Sequence, residues 1–264
     1  MRARRRVLLL GQVCLFIGST FHAQAVDDNQ LRTTVDALTM LVVPTVKGAP
    51  FRAQIRAEWV GPVAGAGQVV RSSTASVLRD SAGRVRQEHW TLARSNGSER
   101  PPELLYVTFM DPVKVIGARC VTKERVCTLR PLDVVHSSWA AAGLLPTGEL
   151  ATSSVDYIYN VHADLGTSVM EGVSTIGYKD TNTFTSRRDR NPADPRVVVH
   201  THLFSKELKF DLQMEVTSLE IGKLSVRVTD LRREEPDTQE FAFPDGYAIN
   251  SELPAITSST NSQH

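Results

Sequence analysis

His200-Thr201-His202 sets two imidazoles two residues apart, which on a strand places both on one face, as a zinc site asks of its first two ligands. Zinc needs further His, Cys or carboxylate ligands, and none stands at a characteristic spacing. Val198 and Phe204 share that face and argue for a packed surface, so no metal site is expected. Cys120 and Cys127 are the other chemical candidates. Their C-x6-C spacing is neither the C-x-x-C of a redox centre nor half of a zinc finger. They fall in Val113–Leu129, which reads as two short strands around Thr122-Lys123-Glu124-Arg125. If Lys123-Glu124 is a two-residue turn, Cys120 lies directly opposite Cys127. Opposed residues sit about 4.5 to 5.5 Å apart at Cα, a distance that a disulfide accepts. A bridge stapling the hairpin is therefore predicted, contributing about 2 to 3 kcal/mol by loop closure.

No G-x-S-x-G, H-E-x-x-H, S-x-x-K or glycine-rich phosphate loop occurs, so no catalytic residue and no cofactor is assigned. Asp230, Arg232, Arg233, Glu234, Glu235 and Asp237 read as a solvated turn, and Asn96-Gly97-Ser98 as a loop turn rather than a glycosylated sequon. Trp59, Trp90, Tyr106 and Phe109 sit on predicted strands in core roles. No residue can be assigned to a ligand from the sequence.

The elements that would carry these residues are mostly strands. Leu31, Val35, Leu38 and Leu41 or Val42 recur at helical spacing after Asp27 and Asp28, predicting an amphipathic helix over about 28–42. From Pro50 the period becomes two. Strands are predicted at 54–60, 69–79, 85–92, 104–110, 113–121, 126–129, 157–162, 168–172, 174–185, 196–204, 208–216, 223–231 and 240–243. The turn Asp80-Ser-Ala-Gly83 joins two of them, with Gly83 free to take positive φ. Phe210, Leu212, Met214 and Val216 alternate with Asp211, Gln213 and Glu215, the pattern of a half-buried antiparallel strand. Pro131–Ala151 breaks the rhythm and reads as a short helix or a lid-like loop. Residues 26–250 are expected to form one mainly β domain, a single curved antiparallel sheet or open half-barrel. A disordered tail follows over 251–264.

Residues 1–25 read as a cleavable signal peptide: a basic stretch through Arg6, an apolar run from Val7 to Phe21, and a small-x-small ending at Ala23-Gln24-Ala25. The run is roughly 15 residues where a membrane span needs about 20. Cys14 lies inside it and lacks a lipobox. The general secretory route fits Arg4-Arg5 better than the twin-arginine one. Without the leader's four arginines, 26 basic residues face 29 acidic ones, and a mildly acidic surface gives no basis for nucleic-acid binding. No later segment is apolar for long enough to span a bilayer. A periplasmic or secreted location is expected.

Pro50-Phe-Arg-Ala-Gln54, Val77–Glu88, Phe109-Met-Asp-Pro112, Leu203–Glu215 and Thr229–Asp237 with Phe241-Ala-Phe-Pro-Asp-Gly-Tyr247 resemble an uncharacterised family of exported bacterial proteins. That family is similar to the periplasmic lipoprotein carriers of the LolA-like superfamily. The resemblance covers about half of the mature chain, and departs from the family pattern at Phe204 and in the middle section. It implies a half-barrel whose inner side is covered by helices. It further implies binding of a lipid or lipidated partner in a concave apolar cavity without catalysis, with peripheral membrane contact. Two alternatives stay open: an envelope protein-interaction or sensory module with a protein partner, and an uncharacterised hydrolase.

Overall fold

The computed structural model describes residues 41, 43–63, 67–94, 101–132, 148–150, 156–186, 196–219 and 222–253. The expected leader, nearly all of the 28–42 helix, most of the Pro131–Ala151 segment, the sequon and the tail from Pro254 lie outside the described residues.

Among the described residues fourteen strands form one sheet: β1 Phe51–Val63, β2 Gly67–Arg79, β3 Val85–Trp90, β4 Ala93–Arg94, β5 Leu104–Asp111, β6 Ile116–Val121, β7 Val126–Pro131, β8 Gly148–Leu150, β9 Asp156–Met170, β10 Val173–Ser186, β11 Arg196–Ser205, β12 Phe210–Ser218, β13 Gly222–Arg232 and β14 Ala248–Ser251. The order is β14-β7-β6-β5-β3-β2-β1-β13-β12-β11-β10-β9-β8, with β4 beside β2. Among the described residues the end strands β14 and β8 do not pair with each other, and the sheet is not closed into a barrel. Among the described residues every pairing is antiparallel except β14 with β7.

The sheet curls. The Leu231 N–H of β13 donates to Glu171 Oε2 in the β9–β10 turn at 3.4 Å. Three strand spacings separate these elements, about 14 Å in a flat sheet. The inner side is traced by one register row, Trp59–Leu224–Val216–His200–Asp180–His162, crossing six strands. Its middle is apolar: Phe51, Ile55, Trp59, Leu212, Val226 and Val228 belong to the main core, and Phe51 stacks on Phe210 at 5.3 Å. A second cluster of Val107, Phe109, Ala118, Cys120 and Cys127 lies on the other side of β5–β7, packed by Phe243 and Tyr247.

Several expectations change. The two strands predicted at 157–162 and 168–172 are one, β9, because a register shift beside Asp164 and Gly166 absorbs the apparent break. The strand predicted at 240–243 is instead a short 3-10 helix, Thr238–Phe241, held by a capping box between Asp237 and Glu240. Gly148–Leu150, inside the expected helix or lid, pairs with β9 as an edge strand. Gly83 takes φ +86° in its turn, with Asp80 O accepting from its N–H at 3.0 Å. The charge run is not simply solvated, since Arg52 pairs with Glu234 at 3.2 Å and Arg233 with Glu207.

Candidate functional site

The alternation that buries the middle of the inner side opens a cavity at one end. Register carries the face of Val77 onto Gln87, Thr108, Arg119 and Thr128. Above these strands lies a cavity of about 500 Å³, lined by Met110, Gly117, Val121 and Leu132 from one side and by Leu41 and Val43 from another. Gln87 Nε2 donates to Leu41 O at 3.1 Å and fixes that second wall.

Two of the cavity's polar residues, Arg119 and His89, belong to a stack. Arg119 lies 3.8 Å over the Tyr106 ring, and Tyr106 stacks on His89 at 4.3 Å. His89 Nε2 meets Thr108 Oγ1 at 3.1 Å. Burial, and then the Arg119 charge, hold the His89 pKa down to about 4, so the imidazole is neutral at physiological pH. Among the described residues Arg119 has no carboxylate partner, while Arg130 is paired with Glu252 at 2.7 Å.

The cystine lies behind this wall. Cys120 and Cys127 are opposed in register and bridged, with Cα atoms 3.9 Å apart. Both side chains point away from the cavity into the cluster closed by Phe243, whose ring meets Phe109 edge-on at 5.2 Å.

His200 and His202 stand at the other end of the inner side, as alternation requires. Their rings are near-parallel, with centroids 6.2 Å apart. Polar groups surround them. His202 Nδ1 meets Asp211 Oδ2 at 2.9 Å, and Tyr178 stacks on His202 at 4.6 Å. Asp211, expected to face away from this side, reaches it through the register shift at Leu203–Phe204. His162 Nδ1 meets Asp180 Oδ1 at 2.9 Å, and Asn160 Nδ2 donates to the same oxygen at 3.0 Å. Burial, and then His202, lower the His200 pKa; burial, and then Asp211, raise that of Tyr178.

Trp59 is fully in the core, Phe109 is buried, and Trp90 is half-buried, its Nε1 donating to Glu88. Sequence reasoning missed His89, Arg119, Asp180 and His162. Polar residues at every second position mark the last two: Asn160, His162 and Asp164 on β9, and Tyr178, Asp180 and Asn182 on β10.

No family model and no curated protein sequence matches this chain. Solved structures similar to it include a LolA superfamily protein and a bacterial lipoprotein. A chain of the Pseudomonas aeruginosa MucA/MucB complex is 10% identical, with a TM-score of 0.38, over 81% of this chain and 61% of that one. A LolA superfamily protein from Nitrosomonas europaea is 10% identical, with a TM-score of 0.31, over 83% and 99%. The Mycobacterium tuberculosis lipoprotein LppX is 13% identical, with a TM-score of 0.28, over 80% and 98%.

Proposed function

We propose that the protein is exported and holds the apolar chain of a lipid or lipidated partner in the cavity above β3, β5, β6 and β7, without covalent chemistry. The cavity carries this reading. Its volume of about 500 Å³ falls in the range of roughly 300–1,000 Å³ usual for small-molecule sites. Leu41, Val43, Met110, Gly117, Val121 and Leu132 supply apolar wall, and a row of polar groups, Gln87, Thr108, Arg119 and Thr128, crosses the floor. An apolar chain lying along Val43, Met110 and Val121 removes hydrocarbon surface from water at about 25 cal/mol per Å². Arg119 is exposed and lacks a carboxylate partner among the described residues, which leaves its guanidinium open to an anionic head group.

The test is titration of delipidated protein with a fluorescent sixteen-carbon fatty acid, alongside mass spectrometry of lipids extracted from protein purified from its native envelope. Saturable stoichiometric binding and a co-purifying lipid are expected. Protein that is folded, lipid-free and unresponsive to the probe overturns the reading.

A further inference from the structure

A smaller cleft adjoins the lipid cavity where two strands part. Among the described residues β2 and β3 pair only from Val77–Gln87 to Arg79–Val85. Beyond that point the Ser76 N–H donates to a side chain, Glu88 Oε2, at 3.4 Å. The cleft there has a volume of about 40 Å³, with Ile55, Ala57, Ser73 and Ala75 on one side and His89 and Tyr106 on the other. The small side chains of Ala57, Ser73 and Ala75 leave that room. Gln87 and His89 line the cleft and the larger cavity alike, whereas Arg119 lines the cavity alone and Tyr106 the cleft alone. Gln87 is tied to the far wall through Leu41 O. His89 is therefore the ring that stands between the two spaces, and it is held in place: its Nε2 meets Thr108 Oγ1 at 3.1 Å and its face stacks on Tyr106 at 4.3 Å. The ring is neutral at physiological pH, so hydrocarbon can end against it without burying a charge.

We infer that His89 closes the far end of the lipid cavity and sets the longest acyl chain that the site covers. The inference rests on the lipid reading above and adds a specificity to it. Successive inner rows carry Met110, Thr108 and then His89 with Tyr106, so a chain lying along this side reaches the imidazole last. Removing the ring joins the cavity to the cleft, where Ile55, Ala57 and Ala75 offer apolar cover to further methylenes. Each methylene that gains such cover tightens binding roughly fourfold.

Displacement of a fluorescent fatty acid by unlabelled saturated acids, from lauric to arachidic, tests this in the parent and in His89→Ala, His89→Val and His89→Phe. For each acid the ratio of parent to variant Kd cancels the hydrophobicity of the chain itself. With His89→Ala the ratio should be flat for short acids and climb once the chain outruns the parent cavity, roughly fourfold for each of the next one or two carbons. His89→Val removes less of the ring and should climb less, which keeps the test open if the alanine variant misfolds. His89→Phe keeps a ring on Tyr106 and should hold the ratio flat throughout. Adding Ala75→Leu to His89→Ala fills the cleft and should restore the parent profile. Profiles of one shape in the parent, alanine and valine forms overturn the inference and leave the lipid reading standing, whereas a parent that binds none of the acids overturns both.

Discussion

Arg79 Nη1 donates to the carbonyl of Leu208 across 2.9 Å, joining β2 to the turn that opens β12. The same guanidinium donates to Pro44 O at 3.1 Å and, through Nε, to Ala49 O at 2.9 Å. It lies 4.9 Å from the Phe51 ring and 5.9 Å from that of Phe210. Burial, and then Arg233, lower its pKa to about 10, yet it stays charged at neutral pH. Arg79→Leu leaves three carbonyls without this donor, so a loss of about 3–5 kcal/mol is expected in urea denaturation. Arg79→Lys should recover only part, because an ammonium cannot present the planar fork. Equal stability of Arg79→Leu and the parent would show that these bonds contribute nothing net.

The neutral state of His89 makes stability depend on acidity. Its folded pKa is about 4, against about 6.5 in an unfolded chain. The unfolded chain therefore binds the proton first as pH falls. The stability contribution is whole above about pH 6.5 and is lost on descending to about pH 4. A difference of about 2.5 between the two pKa values corresponds to roughly 3 kcal/mol. His89→Gln keeps a group able to bond Thr108 and removes the titration. The gap in stability between parent and variant should therefore change over that window and be flat above it. A constant gap from pH 7 to pH 4 would mean that His89 protonates freely in the fold.

How much of this was legible depends on the range over which each signal acts. The opposition of Cys120 and Cys127 and the turn at Gly83 are local, and a few residues of strand period specify each. The alternation Phe210, Leu212, Val216 gave the buried side of β12 for the same reason. The continuity of β9 was hidden because its register shift uses Asp164 and Gly166, residues that ordinarily mark turns. The cavity and the His/Asp pairs were hidden more deeply. His89 meets Tyr106, and Asp180 meets His162, only after antiparallel pairing brings separate strands into register, and no short window of sequence contains that pairing. The capping box at Asp237–Glu240 was readable, but the aromatic alternation of Phe241 and Phe243 competes with it.

The bridge between Cys120 and Cys127 closes a short loop, so its removal should cost about 2–3 kcal/mol. For a domain of this size that is a fall in Tm of roughly 5–10 °C. Cys120→Ala with Cys127→Ala measures it by scanning calorimetry. Alkylation of the unreduced parent should label neither cysteine. Because the two side chains sit behind the cavity wall, the double variant should also bind the fatty-acid probe more weakly, through a loosened β6–β7 pair. Unchanged Tm, or two reactive thiols in the unreduced parent, would remove the bridge from the account.

Gly222 is required by a close approach. It adopts φ +77°, and a Cβ there would stand 2.3 Å from Val60 O and 2.6 Å from Gly61 Cα, both backbone atoms of β1. Left-handed backbone costs about 1–2 kcal/mol for an alanine, and the collision adds roughly 1–3 kcal/mol by forcing β1 and β13 apart. Gly222→Ala should lose about 2–5 kcal/mol in urea denaturation, and a variant within 0.5 kcal/mol of the parent, roughly the scatter of a surface change, would contradict the contact.

Gly117 offers the opposite case and the sharper test of function. It lies on the cavity side of β6, and a Cβ there meets only Leu132 Cδ1 at 3.8 Å and Phe109 O at 3.9 Å, ordinary contact distances. A Cβ therefore fits on the cavity side without displacing backbone, and replacing a strand glycine relieves its entropic cost, roughly 0.5–1 kcal/mol. Gly117→Phe is expected to keep or raise Tm while filling volume that the ligand needs, so fatty-acid affinity should fall at least tenfold. Stability and binding would then move in opposite directions, which damage to the fold cannot produce. Gly117→Phe that binds the probe as tightly as the parent would place the lipid elsewhere on the sheet.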